Sequence, residues 1–110
     1  EDDRYHPKRV MMGARTADGA VAFLKDALAD RRVLTGELGD TPVVAVYDDR
    51  YDTGYVYRNP EKQAVSYEGG EFAVGGETNT PDSLPLDRIH AFDAMWFAWV
   101  GYYPETNVYA

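Results

Sequence analysis

A chain of 110 residues that is 45% hydrophobic and 14% aromatic is one globular domain's length with enough apolar material for a core. It has no run of about 20 apolar residues to cross a bilayer and no cysteine, which excludes disulfides, iron–sulfur clusters, cysteine-bearing zinc sites and a thiol nucleophile. Nineteen acids against eleven bases give a net charge of −8, a field that repels phosphate backbones and anionic lipid, so neither nucleic acid nor membrane insertion is expected. Residues 1–9, with Glu1 in place of a methionine, read as a charged, frayed leader or linker to a single domain over 10–110, and the whole as a fragment of a longer protein. Val10–Met12 and Ala20–Phe23 are apolar runs separated by a segment ending in Asp18-Gly19, a hairpin signal. Leu24–Arg32 is rich in helix formers, with Leu24 and Leu28 on one face. Val33–Leu38 is a further strand, and Gly39-Asp40 turns the chain.

Thr41–Tyr47, continuously apolar and β-branched, is the strongest strand and is expected to be buried on both faces. Asp48–Gly54 forms a hairpin loop, and Tyr55–Arg58, Ala64–Tyr67 and Phe72–Val74 continue a single antiparallel meander. Alternation places Tyr55 and Tyr57 on one side of it, either as a docking face or as cover for a small core. Gly75–Pro85 is polar and turn-rich and is expected to be a mobile loop. Beyond it, Asp93 stands where an N-cap would, followed by a nearly apolar stretch ended by Gly101 and Pro104. Phe92, Trp96, Trp99 and Tyr103 fall at helical spacing, which predicts a helix running to Tyr103, buried on most sides, with at least one tryptophan fully enclosed. The expected fold class is α+β: a mostly antiparallel sheet of short strands with one short helix and one aromatic-rich C-terminal helix packed on it.

Trp96-Phe97-Ala98-Trp99, followed by Pro104, Thr106, Val108 and Tyr109, resembles the W-F-A-W … P-x-T-x-V-Y signature of the family called domain of unknown function 3179. Gly39 through Tyr47 resembles that family's G-x-x-P-V-V-V-x-Y strand, and Val10 through Phe23 its entry hairpin. The resemblance spans residues 10–109 and implies a fold and an extracytoplasmic setting, but no activity. Many members carry Tyr-Cys-Pro-Leu-Cys after the central strand, a pair suited to metal or redox chemistry. Here that place reads Tyr47-Asp48-Asp49-Arg50-Tyr51-Asp52, so the thiol chemistry is not carried over. Three lysines against eight arginines, and one isoleucine against eleven valines, further resemble the proteins of salt-loving archaea. High salt would screen the self-repulsion of −8.

The chemistry that remains is sparse. Asp48, Asp49 and Asp52 are the one candidate set for a hard cation such as Ca²⁺, although the ordered D-x-D-x-D-G alternation is absent and Arg50 intrudes. His6 and His90 lie far apart and lack metal-ligand spacing. Ser66, Ser83 and the seven threonines sit in no nucleophile elbow, and neither Gly69-Gly70 nor Gly75-Gly76 opens a helix as a phosphate loop does. No catalytic residue, cofactor or resident metal is therefore expected. The leading expectation is a non-catalytic binding or structural module of a larger, exported archaeal protein, with another protein or further domains of the same chain as partner. The alternative is an ion-dependent or enzymatic module built on the acidic hairpin.

Overall fold

In the computed structural model residues 4–110 are described, so the first three residues of the expected leader lie outside the description. The chain order is β1 (Val10–Thr16), β2 (Gly19–Leu24), α1 (Lys25–Arg31), β3 (Val33–Leu38), β4 (Thr41–Asp48), β5 (Thr53–Arg58), β6 (Val65–Glu68), β7 (Glu71–Val74), β8 (Glu77–Asn79), β9 (Arg88–Ile89), β10 (Ala91–Met95), α2 (Trp96–Tyr102) and β11 (Asn107–Tyr109). They form three sheets, ordered β10-β1-β2-β11, β3-β4-β5-β9 and β6-β7-β8. All pairings are antiparallel except β11 with β2. The class is the expected α+β.

Alternation along the strands sorts the apolar residues into three cores. Met12, Val21, Phe23, Leu34, Val43 and Val56 fill the space between the first and second sheets, with Leu28 of α1 among them. Val44, Val46 and Tyr57 on the outer face of the second sheet meet Phe72 and Val74 of the third. Met11, Ala22 and Leu24 on the outer face of the first sheet meet Trp96 and Trp99 of α2. The order of layers is thus α2, first sheet, second sheet, third sheet. β4 feeds two cores, Val43 and Ala45 to one and Val44 and Val46 to the other, and all four are buried. The two main sheets are tied along one side, where Glu37 of β3 donates its N–H to the Tyr109 hydroxyl (3.0 Å) and accepts from the Asn107 amide (3.1 Å).

Local chemistry explains the turns. Thr16 pairs with Gly19, leaving Ala17-Asp18 as the tip of the first hairpin. Gly39 takes φ +60°, and a Cβ there would stand 2.5 Å from the Asp18 carbonyl, so the β3–β4 turn and the first hairpin can touch only through a glycine.

Four expectations are corrected. The single meander is two sheets, because the chain leaves the second sheet at Asn59, whose side chain is bonded both ways to Gln63 (2.9 and 3.0 Å) and reverses it. The expected mobile loop at 75–85 contains β8, and Pro81 and Leu84 are buried, with the Tyr57 hydroxyl donating to the Pro81 carbonyl at 2.7 Å. The C-terminal helix is seven residues, not a run from Asp93 to Tyr103, and Asp93 is a strand residue opposite Met12. Nor is that helix buried on most sides: Trp96 and Trp99 are enclosed, but Phe97 is 57% exposed and Tyr102 80%. Its N-terminus is satisfied by backbone instead of a side-chain cap, Trp96 N–H donating to the Arg9 carbonyl (2.8 Å) and Phe97 N–H to that of Pro7 (2.9 Å). The described part of the leader is therefore docked, not frayed, and Tyr5 lies edge-on to Trp96.

Candidate functional site

The acidic hairpin is the one cluster that sequence reading singled out, and its geometry is set by the β4–β5 ladder. Asp48 pairs with Thr53 at the end of that ladder, which turns its carboxylate inward, 1% exposed. One carboxylate oxygen accepts from the Arg50 backbone N–H (3.0 Å) and Nε (3.1 Å). The other accepts from Arg50 Nη2 (3.0 Å) and the Tyr55 hydroxyl (3.2 Å). A carboxylate with four donors, two of them from one guanidinium fork, is fully occupied. The Arg50 guanidinium holds the Asp48 carboxyl below the usual carboxylate range against the opposing effect of burial. Burial and the neighbouring Asp48 charge push the Tyr55 phenol up.

Asp49 and Asp52 go elsewhere. Asp49 accepts from Arg32 Nη1 at 3.1 Å. The Arg32 guanidinium in turn lies over the rings of Tyr47 (5.4 Å) and Tyr67 (5.3 Å), a cation held between two π faces. Asp52 accepts from the Tyr47 hydroxyl at 2.6 Å, which raises the Tyr47 pKa, and lies 3.8 Å from Lys25 Nζ. Lys25, only 14% exposed, also pairs with Asp93. The three hairpin carboxylates thus diverge onto three different partners. Among the described residues no group of three His, Asp or Glu side chains is placed to hold a metal ion.

The remaining candidates stay apart. His6 is exposed, its Nδ1 accepting from the Lys8 N–H (3.1 Å), and His90 is exposed with its ring 5.9 Å from Phe92. Ser66 is exposed on β6, and the Ser83 hydroxyl shares a hydrogen bond with Thr80 (2.6 Å). Tyr57 is buried and Tyr55 half-buried under the third sheet, so those rings cover a core. Sequence reading missed a groove at the other end of β4, because it is assembled from three turns remote in sequence. It has a volume of about 590 Å³ and is bounded by the β1–β2 tip, Gly39-Asp40 and the segment after α2.

A protein-family model described as "Protein of unknown function (DUF3179)" matches residues 1–106. The chain belongs to that family. No curated protein and no solved structure matches it significantly. In this DUF3179 chain the place where the resemblance puts a cysteine pair is closed by the Asp48–Arg50 fork. Among the described residues no helix is long and apolar enough to cross a membrane.

The Asp48–Arg50 fork carries a pH prediction. A carboxyl whose folded pKa lies below its unfolded value contributes stability that is complete above the unfolded pKa, about 3.9 for Asp, and is lost as pH falls through the folded one. Replacing Arg50 with alanine removes the chief cause of the depression, so acid unfolding followed by circular dichroism should begin at a higher pH in Arg50→Ala. Coincident acid transitions would contradict this assignment.

Proposed function

We propose that this DUF3179 domain is a non-catalytic binding or structural module of a larger exported protein suited to high salt. The observation that supports it is the mutual neutralisation of the acidic hairpin: Asp48, Asp49 and Asp52 are each committed to a separate partner, and no carboxylate pair is left converging on one point. A hard cation needs six to eight oxygens, several of them from such a pair. General acid–base work needs a titratable group open to substrate, which Asp48 is not. The acidic composition and the scarcity of lysine support the salt setting, and the resemblance supports the exported one.

The test is thermal unfolding with Ca²⁺ at about 20 mM against NaCl of equal ionic strength. A ligand that binds only the folded state adds RT ln(1 + [L]/Kd), about 2.7 kcal/mol at a hundredfold excess. A sub-millimolar site would therefore move the midpoint by several degrees. The expected result is equal midpoints in the two salts. Asp49→Asn should behave likewise, losing only an exposed ion pair worth up to about 1 kcal/mol. A Ca²⁺-specific rise that this substitution removes would replace the reading with an ion-dependent one.

A further inference from the structure

The groove at the far end of β4 brings aromatic rings and charged side chains together. Two aromatic rings line it, Tyr102 and Tyr103, 6.3 Å apart, and Tyr103 continues inward to Trp99 at 4.5 Å and Phe92 beyond it. The outermost ring, Tyr102, is 80% exposed. Arg15, with its guanidinium 5.9 Å from the Tyr103 ring, is in no ion pair among the described residues. The rim carries Asp18, Asp40 and Glu105, also outside any described ion pair, whereas every carboxylate of the acidic hairpin has a cation near it.

We propose, resting on the binding-module reading above, that this groove docks a basic, proline-rich segment of a partner protein in the polyproline II conformation. The geometry fits that ligand chemistry in three ways. The lining comes from three separate segments of the chain, and an extended strand can touch all three. Accessible aromatic rings are what proline rings pack on, and a polyproline helix arrives already ordered, with little entropy left to lose. Its carbonyls make no internal hydrogen bonds, and the Arg15 guanidinium and the Tyr102 hydroxyl are donors able to meet them. The charge fixes the rest: three carboxylates outside any described ion pair outnumber the single Arg15 cation in the groove of a −8 domain and call for arginine or lysine beside the prolines. The same field argues against a nucleic acid on these rings.

The experiment titrates the whole domain into a fluorescein-labelled peptide of about ten residues, rich in proline with an arginine at each end, read by anisotropy. Binding in the micromolar range is expected at low salt. It should weaken at least tenfold for Tyr102→Ala, for the Asp18→Asn/Glu105→Gln pair, and for a peptide with glycine in place of proline. These side chains are exposed, so thermal midpoints should match the parent and exclude misfolding as the cause. No binding up to about 1 mM, equal binding of the glycine peptide, indifference to Tyr102→Ala, or displacement by a neutral oligosaccharide would each overturn the proposal. Should the peptide fail while Ca²⁺ leaves stability unchanged, the groove assignment falls and the non-catalytic reading stands. A Ca²⁺-specific shift removes that reading itself.

Discussion

Trp99→Ala should lower the unfolding free energy by about 3–5 kcal/mol, the cost of deleting a fully buried aromatic side chain. Trp99 is 2% exposed, stands edge-on to Phe92 at 5.7 Å, and donates its indole N–H to the buried Thr106 hydroxyl at 2.9 Å. Alanine would leave a cavity between α2 and the first sheet and would cost Thr106 a donor. A domain near this size loses about 4–8 °C of melting temperature per kcal/mol, so a fall of 12 °C or more is expected. Urea unfolding monitored by circular dichroism measures it. A loss below about 1 kcal/mol would mean that α2 is not a structural part of the core.

The position beneath that ring gives the second large effect. A Cβ on Gly13 would stand 2.4, 2.5 and 2.7 Å from three atoms of the Trp99 six-membered ring. The ring cannot slide away, because Phe92 and Tyr103 flank it and its N–H is tethered to Thr106. Gly13→Ala should therefore cost about 3 kcal/mol, at the upper end of overpacking penalties, even though alanine is otherwise the better strand residue by about 0.5–1 kcal/mol. The two sites must also be coupled. In a Trp99→Leu background, with the ring gone and a smaller apolar side chain in its place, Gly13→Ala should cost close to nothing, giving an interaction energy of about 2–3 kcal/mol in a double-mutant cycle. Additive effects would show that the ring can yield.

The elements with a sharp local signature were readable without coordinates. The Asp18-Gly19 hairpin, the β-branched run of β4 and the helix formers before Arg32 all form where their chemistry places them. The error at Asp93 has a physical origin. From Ala91 to Val100 the chain carries one charged residue, so nothing in the polarity marks the point where the period changes from 2 to 3.6. Phe92 reaches Trp99 as a cross-strand neighbour of Gly13, not as a residue two turns away on one helix. The acidic hairpin was visible as a cluster, and the intrusion of Arg50 was the hint of its neutralisation. That Arg32 and Lys25 would arrive from α1 and its end to claim Asp49 and Asp52 depends on packing that no local window contains.

β4 ordinarily would be a strand free to err. A strand with one wet face keeps its register because a slip of one residue would drown its apolar side chains and bury its polar ones. From Val43 to Val46 both faces are dry, so a slip exchanges one set of small aliphatic side chains for another and polarity raises no objection. Alignment must be enforced at the ends instead. There the strand is clamped by the Gly39 turn, by the Pro42 carbonyl accepting the Asn59 N–H at 2.8 Å, and by the Tyr47 N–H donating to the Arg32 carbonyl at 3.0 Å. The fidelity of the central strand is thus delegated to its two terminal clasps, and its interior is left free to drift in sequence among residues of valine's size.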